Sequence, residues 1–445
     1  MENIKLNQNL LRKKFVNNTI QHPPTYTRRH SRIHERLLLS FLFQLIAGIT
    51  LFICIAIIPV WGIRFWEKID QNSRNTAIGA IIVFGVVSFA LRKLLRYPGA
   101  QSVAYVFPVT TFAYGILIII FFMVRLMYSN YVMFVAYTTT LGWCYVGYFI
   151  GNRYRLTRYA LVPFGEALEF TSAHGALFSL LQKPDLTNQR FNAVIADLRS
   201  KDLTPEWQKF LAHCTLSRIP VYHTKQVKES LTGRIKIDHL SENEFGALLP
   251  SPFYEKLKRL IDLFSAIFFI PIFFPLLVTV AILIKLESKG PVFFLQRRMG
   301  FRGRPFTMYK FRSMYIDKQG KGFTQGEDDP RITRIGKFIR KFRIDELPQI
   351  FNILLGQMSF IGPRPESLEL SMWYEMDVPF FSYRHVVRPG ISGWAQVEQG
   401  YAAEVDGMKV KLEYDFYYIK HFSFWLDILI TFKTIKTILT GFGAR

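Results

Sequence analysis

Residues Arg331–Pro365, RITRIGKFIRKFRIDELPQIFNILLGQMSFIGPRP, contain the two adjacent acidic residues around which the rest of the chain can be interpreted. The pair Asp345-Glu346 follows a run of cations, which are Arg331, Arg334, Lys337, Arg340, Lys341 and Arg343. A stiff turn, Gly362-Pro363-Arg364-Pro365, lies downstream of the pair. Carboxylates are preferred ligands of Mg²⁺, and cations bind phosphate oxygens. The stretch therefore predicts a site for a metal ion and for anionic groups such as phosphates.

The composition indicates a membrane protein. The chain has 445 residues, of which 50% are hydrophobic and 16% aromatic, and its formal net charge is +23. High apolar content with a basic excess fits polar parts that face anionic headgroups or phosphorylated ligands. The sequence resembles no nucleic-acid-binding module, so we predict no nucleic-acid partner. The three cysteines lack metal-type spacing, so neither a zinc site nor a disulfide framework is predicted.

A basic leader, residues 1–36, precedes a block of four uncharged runs. These runs are Leu37–Ile63, Asn75–Leu91, Gly99–Val124 and Leu126–Asn152. Crossing a bilayer takes roughly 20 mostly apolar residues, so the second run is marginal and the others are long enough. The bias of Lys and Arg puts the N-terminus and everything after residue 153 in the cytoplasm. The runs contain no charged residue, so residues 37–152 are predicted to form an anchoring bundle of four transmembrane helices rather than a transporter.

Residues 153–250 have the composition of a small cytoplasmic α/β domain. Short strands are predicted at Tyr159–Val162, Phe191–Ala196 and Ile219–Tyr222, with helices over 166–182 and 204–214. After the first strand the chain has Pro163-Phe164-Gly165-Glu166 where a dinucleotide-binding fold would have Gly-x-Gly-x-x-Gly. The domain is therefore predicted to be degenerate Rossmann-like, with a structural or regulatory role.

A long apolar run, Leu263–Ile284, opens the C-terminal part of the chain. Cations flank both of its ends, and Pro271 and Pro275 lie in its middle, where each removes a helix hydrogen bond. We predict a re-entrant helix hairpin over residues 262–285, with the break at Pro275. An ordinary fifth span is the alternative.

Six motifs follow one another in the C-terminal part of the chain. They are Phe294–Gly300, Tyr309–Met314, Asp345-Glu346, Gly362–Pro365, Arg388–Val397 and Glu413–Tyr418. From about Lys256 to Gly441 this ordered set resembles the bacterial sugar transferase family, the monotopic polyprenyl-phosphate phosphoglycosyltransferases. The N-terminal block and the α/β segment resemble those of the large members, which start exopolysaccharide, capsule or O-antigen repeat units. The expected fold class is an α-helical membrane protein with a mostly helical catalytic domain over residues 251–445.

The resemblance implies a reaction and its partners. A sugar 1-phosphate would move from a UDP-sugar to undecaprenyl phosphate, with Mg²⁺ as cofactor and release of UMP. Asp345 would be the nucleophile, and Asp345 and Glu346 would hold the metal. The enzyme would work at the lipid bilayer of the bacterial inner membrane with its catalytic domain in the cytoplasm, and a homodimer is possible. A glycosyltransferase that moves only the sugar and a non-catalytic scaffold of a polysaccharide assembly complex are the alternatives.

Eight further residues are implied as phosphate- or substrate-binding residues. They are Lys310, Arg331, Arg340, Arg364, Arg388, Gln396, Asp415 and Tyr418. Asp415 and Tyr418 could equally be core residues. The chain departs from the family pattern at Glu398-Gln399-Gly400-Tyr401, where many relatives have Asn-Gly-Arg, and at Phe274, where a serine is common. Residues 424–440 predict a terminal helix that lies either in the headgroup plane or against the core.

Overall fold

The computed structural model describes residues 26–29, 33–99, 103–155, 157–170, 176–186, 189–236, 249–316, 329–399 and 405–440. The chain divides into two units, one of residues 1–85 and 114–231 and the other of residues 86–113 and 232–445. Most of the leader predicted over residues 1–36 lies outside the described residues.

The N-terminal block is helical. They are α1 (Ile33–Leu39), α2 (Phe41–Phe52), α3 (Ile58–Trp61), α4 (Phe65–Lys68), α5 (Gln71–Leu94), α6 (Val106–Val124) and α7 (Asn130–Arg155). Three stretches here are long and apolar enough to cross a membrane, namely Phe41–Trp61, Gln71–Leu94 and Val103–Val124. The fourth predicted span is also a helix, α7, which is 26 residues long but less apolar than these three stretches. The chain is a membrane protein.

A parallel sheet of four strands follows in the same unit. The strands are β1 (Thr157–Leu161), β2 (Ala176–Leu180), β3 (Ala193–Ala196) and β4 (Val221–His223), in the order β2-β1-β3-β4. The helices α8 (Pro205–Leu216) and α9 (Thr224–Thr232) accompany them. All four residues of β3 are buried, as expected of a central parallel strand covered on both faces. The small α/β domain predicted here is confirmed at that level.

One element of the α/β domain was predicted wrongly. The helix expected over residues 166–182 is a 3₁₀ turn at Gly165–Glu169 and the strand β2 at Ala176–Leu180. The strand is only five residues long, and at that length apolar periodicity does not separate a strand from a helix. Parallel pairing with β1 over its whole length decides the outcome.

The second unit contains the motif-bearing region. Its helices are α10 (Pro252–Glu287), α11 (Arg334–Lys341), α12 (Gln349–Leu354), α13 (Leu368–Asp377), α14 (Trp394–Glu398), α15 (Val405–Lys420) and α16 (Phe424–Thr440). Its strands are the antiparallel pair β5 (Phe293–Met299) and β6 (Pro305–Phe311), and the parallel pair β7 (Ser359–Ile361) and β8 (Gly390–Ser392). This region is mostly helical, as predicted.

The helix α10 runs without interruption through both prolines. Pro271 and Pro275 lie inside it, and the Thr279 hydroxyl donates to the Pro275 carbonyl at 2.8 Å, a contact that bends helices. The expected departure of the chain from helical structure at Pro275 is therefore not seen. α10 is itself long and apolar enough to cross a membrane, and its re-entrant path stays a prediction.

Both halves of α10 pack on the β5–β6 hairpin and its neighbours. Ala266 contributes to one apolar cluster with Met308, and Ile284 to a second with Phe311. At its start, Lys258 forms a buried ion pair with Asp427 of α16 at 2.7 Å. The first half of α16 therefore lies against the core, in agreement with one of the two alternatives predicted for it.

Candidate active site

The acidic pair lies in a one-turn 3₁₀ helix, Ile344–Glu346, between α11 and α12. The residue before it, Arg343, has a left-handed backbone with φ +54°, which L-residues with a side chain rarely adopt. Such a conformation costs on the order of 1 kcal/mol and concentrates at functional sites. The turn leaves Glu346 buried and Asp345 partly buried, so the two neighbouring carboxylates have different surroundings.

Two cations fix the Glu346 carboxylate. Its Oε1 accepts from Arg364 Nη2 at 2.6 Å and from Lys310 Nζ at 3.2 Å. Arg364 Nη1 reaches Oε2 at 3.5 Å. Lys310 comes from β6, and Arg364 from the turn after β7, so two strands that are distant in sequence deliver the cations. The structure thus brings together three residues that the sequence predicted as parts of one site.

The electrostatics separate the two acids. Burial disfavours a charge on Glu346, but Arg364 and Lys310 outweigh that cost and hold its pKa well below the usual range. Burial and the Glu346 charge raise the pKa of Asp345 to about 6, against the opposing effect of Lys310, Arg340 and Arg364. Glu346 is therefore a fixed anion. Asp345 is a poorly solvated carboxylate, still mostly ionised at neutral pH, which is the state that a nucleophile requires.

Arg340 reaches the site from the last turn of α11. Its charge lowers the pKa of Asp345, and its Nη1 is buried with no hydrogen-bond partner in the described part of the chain. A buried unpaired donor is costly unless a ligand satisfies it. Arg340 is therefore suited to bind an anionic group beside Asp345.

The start of α11 is held by the end of α10. The Glu287 carboxylate accepts from the backbone amides of Arg334 at 2.7 Å and Ile335 at 3.1 Å, and the Thr333 hydroxyl accepts from Gly336 N. These bonds satisfy amides that have no partner within the helix. Glu287 thereby links the apolar helix to the helix that carries Arg340.

Two of the predicted arginines are held elsewhere. Arg331 forms a local ion pair with Asp329, with Nη2 at 2.6 Å from Oδ2. Arg388 contacts Glu255 of α10 at 3.2 Å, and its Nε donates to the Gly356 carbonyl. Both contacts stabilise the protein, and neither joins the group around Glu346.

Three other predicted residues are engaged within the fold. Asp415, 1% exposed, accepts from Arg384 Nε at 3.0 Å. Tyr418, also 1% exposed, donates to Asp427 Oδ1 at 2.9 Å. Gln396 Nε2 donates to the Ile391 carbonyl at 3.3 Å, and its Oε1 is buried without a partner among the described residues. Asp415 and Tyr418 therefore lie in the core, the alternative that the sequence left open for them.

Two arginines near the site, the partly buried Arg298 and the buried Arg384, were missed. Arg298 Nη1 donates to the Pro365 carbonyl at 2.9 Å, and Arg384 Nη2 donates to the Arg364 carbonyl at 2.8 Å. Arg298 belongs to the quoted motif Phe294–Gly300, which was the available signal for it. Arg384 stands outside every quoted motif, and only its burial beside Asp415 reveals it.

The donor set fits a metal that completes its shell with substrate oxygens. The described residues contain no group of three or more His, Cys, Asp or Glu side chains close enough to hold a metal ion. Mg²⁺ typically uses one or two carboxylates together with water and substrate phosphates. Asp345 and Glu346 provide that number, and the one hydrogen bond that a described residue makes to Glu346 Oε2 is the 3.5 Å contact with Arg364.

Comparison with known proteins identifies the family of this chain. Residues 253–441 match the family model described as Bacterial sugar transferase. The UDP-N-acetylgalactosamine-undecaprenyl-phosphate N-acetylgalactosaminephosphotransferase of Aeromonas hydrophila is 53% identical over 422 residues, which cover 95% of this chain and 100% of that protein. The UDP-glucose:undecaprenyl-phosphate glucose-1-phosphate transferase of Xanthomonas campestris is 45% identical over 41% of this chain and 38% of its own length. The corresponding Escherichia coli enzyme is 41% identical over 40% of this chain and 39% of its own length. This chain therefore belongs to the bacterial sugar transferase family and is a transferase with membrane helices.

Proposed function

We propose that this enzyme transfers a sugar 1-phosphate from a UDP-sugar to undecaprenyl phosphate, the first step of a polyprenyl-linked glycan. The observation that carries the proposal is Asp345, a partly buried carboxylate beside Glu346, Lys310, Arg340 and Arg364. Since the N-acetylgalactosamine phosphotransferase of A. hydrophila is similar over its full length, UDP-N-acetylgalactosamine is the proposed donor.

In the first step Asp345 attacks the phosphorus that carries the sugar. A bond forms between a carboxylate oxygen and this phosphorus, and the bond to the bridging oxygen of the diphosphate breaks. UMP leaves with that oxygen and its electron pair, and the phosphosugar stays on Asp345. A covalent intermediate divides a difficult displacement into two easier ones.

In the second step an oxygen of undecaprenyl phosphate attacks the same phosphorus. The bond to the Asp345 oxygen breaks, which frees the carboxylate and yields the polyprenyl diphosphate sugar. Phosphoryl transfer requires mainly positioning and charge neutralisation. Lys310 and Arg364 hold Glu346 in place, and the free Nη1 of Arg340 binds a phosphate oxygen.

Mg²⁺ would be held by Asp345 and Glu346. When bound, it would neutralise part of the diphosphate charge. The two carboxylates leave most of its coordination positions for water and phosphate oxygens.

A lipid-facing surface supports the choice of acceptor. Phe338 and Phe342 of the α11 region are 57% and 48% exposed. Lys337 and Lys341 are exposed on the same short helix. Exposed aromatic rings beside cations suit a membrane surface with phosphate headgroups. We place this surface, and the re-entrant α10, at the cytoplasmic leaflet of the inner membrane.

The test is a UMP-release assay with purified enzyme, undecaprenyl phosphate, Mg²⁺ and a panel of UDP-sugars. UMP and a lipid-linked product are expected with UDP-N-acetylgalactosamine, and chelation of divalent cations should abolish both. Without acceptor, mass spectrometry should find a phosphosugar on Asp345. Release of UDP in place of UMP would contradict the proposal and favour a sugar-only glycosyltransferase.

A further inference from the structure

Arg364 interacts with three acidic side chains. It donates to Glu346 at 2.6 Å, and the charges of Asp345 and of Glu366, two residues along the chain, also act on it. Glu366 is partly buried, so its charge is weakly screened. An arginine near more than one carboxylate can pair with any of them, and only pairing with Glu346 holds that side chain in place.

Glu366 is paired with two other cations. Lys411 Nζ of α15 donates to Glu366 Oε1, and Arg384 Nη1 lies 3.7 Å from the same oxygen. Burial raises the pKa of Glu366, but these two cations outweigh it and hold the pKa at about 2. Glu366 is therefore an anion whose charge is already balanced without Arg364.

Hydrogen bonds fix the backbone from Arg364 to Glu366 at three consecutive carbonyls. Arg384 Nη2 donates to the carbonyl of Arg364, Arg298 Nη1 to that of Pro365, and Met299 N to that of Glu366 at 3.1 Å. One guanidinium, that of Arg384, thus touches the Arg364 backbone and faces the Glu366 side chain. Asp415 fixes this guanidinium in turn, since its Oδ2 lies 2.8 Å from Arg384 Nη2.

We propose that Lys411 and Arg384 are positioning residues that keep Glu366 from pairing with Arg364 and so direct Arg364 to Glu346. Neither residue touches the reacting atoms. The inference rests on the proposed function, because it explains how one cation of that active site is oriented.

The experiment uses Lys411→Met in the full-length enzyme. With Lys411 gone, Arg384 at 3.7 Å is the cation left beside Glu366, and the less balanced carboxylate should draw Arg364 away from Glu346. The value of kcat should therefore fall about 10- to 100-fold while KM changes little. The double variant Lys411→Met/Glu366→Gln removes the competing charge and should recover kcat to within about threefold of wild type. Lys411→Arg should stay close to wild type. Lys409→Met, an exposed lysine on the same helix, is the matched control.

A plain structural role for Lys411 predicts the opposite for the double variant. With both partners removed, activity would stay low, and that result would overturn the inference. Glu366→Gln alone should keep kcat within about threefold. A folded Glu366→Gln enzyme without activity would show that Glu366 acts directly, and would equally overturn it.

A second readout does not depend on turnover. In thermal unfolding without substrate, double-mutant cycles between Arg364 and Glu366 should give a small coupling in the wild-type background and a larger one with Lys411→Met. If wild type released no UMP while this increase was found, the proposed function would fail and the inference would stand. If wild type turned over and the coupling did not change, the inference would fail alone.

Discussion

The α/β domain and the catalytic region stabilise their interiors in different ways. Among the described residues from 157 to 232, Thr224 is the only buried polar side chain, and the core consists of residues such as Val194 and Phe210. In its described part the catalytic region buries eight charged side chains, which are Lys258, Asp262, Arg312, Asp329, Glu346, Arg384, Asp415 and Asp427. Buried charges are costly unless they are paired. Of these two regions, only the catalytic one buries charged side chains in its described part. Glu346 belongs to the proposed phosphate site, and the others form ion pairs or hydrogen bonds that stabilise the structure around it.

One carboxylate from each region, Asp197 and Glu346, shows the same contrast between uncharged and charged partners. Asp197, after β3, accepts from the backbone amides of Glu166 at 3.2 Å and Arg199 at 3.1 Å. Glu346 instead accepts from two cationic side chains. The amide partners of Asp197 stabilise the conformation of a loop. The cationic partners of Glu346 can in addition contact an anionic ligand.

The largest effect is expected from Asp345→Asn. Loss of the nucleophile should lower turnover by at least about 1000-fold, or about 4 kcal/mol in activation free energy. The matched control is Asp197→Asn, which should keep turnover close to wild type because its bonds join backbone groups. Near-native UMP release by a folded Asp345→Asn enzyme would mean that another group attacks the phosphorus.

The next effect concerns stability. Lys258→Met leaves Asp427 buried without its cation, so the free energy of unfolding should fall by about 3 kcal/mol. The control in the α/β domain is Lys228→Met, whose pair with Glu169 at 3.0 Å is exposed and should contribute less than about 0.5 kcal/mol. Denaturant unfolding in detergent measures both. Equal losses of unfolding free energy in the two variants would contradict the proposed difference between buried and exposed ion pairs.

A pH dependence should follow from His385. Burial, together with the neighbouring Arg384, lowers its pKa to about 3. The unfolded chain, with a pKa near 6.5, then binds more protons, so stability is present above about pH 6.5 and is lost as the pH falls. Between pH 7 and pH 5 the loss should be about 2 kcal/mol. Thermal unfolding across this range should show a smaller pH dependence in His385→Gln than in wild type, and an unchanged slope would contradict the assignment.

The smallest effect is expected in the apolar core. Ile195→Val in the central strand β3 removes one buried methylene and should lower the free energy of unfolding by about 1 kcal/mol. The loss should be independent of pH, because no charged group is buried in the described part of this domain. A loss that varied with pH would show that this core, too, depends on a titrating side chain.

The sequence predicted the centre of the candidate site better than its surroundings. Four predicted site residues do come together, namely Asp345, Glu346, Lys310 and Arg364. They lie on the 3₁₀ turn, on β6 and on the turn after β7, which are close together in the fold. Motif membership could not tell that Arg388 pairs with Glu255 or that Asp415 pairs with Arg384. Those outcomes depend on contacts between residues that are 30 or more positions apart.

The contact between Glu287 and the first amides of α11 has a mechanical consequence. It connects the end of an apolar helix directly to the start of an eight-residue helix whose last turn carries Arg340. These hydrogen bonds join the two helices directly, so a displacement of the α10 end should also displace the helix that carries Arg340. If α10 enters the bilayer as proposed, bilayer thickness and lateral tension act on it first. The physical state of the lipid should then affect the position of Arg340 relative to Asp345.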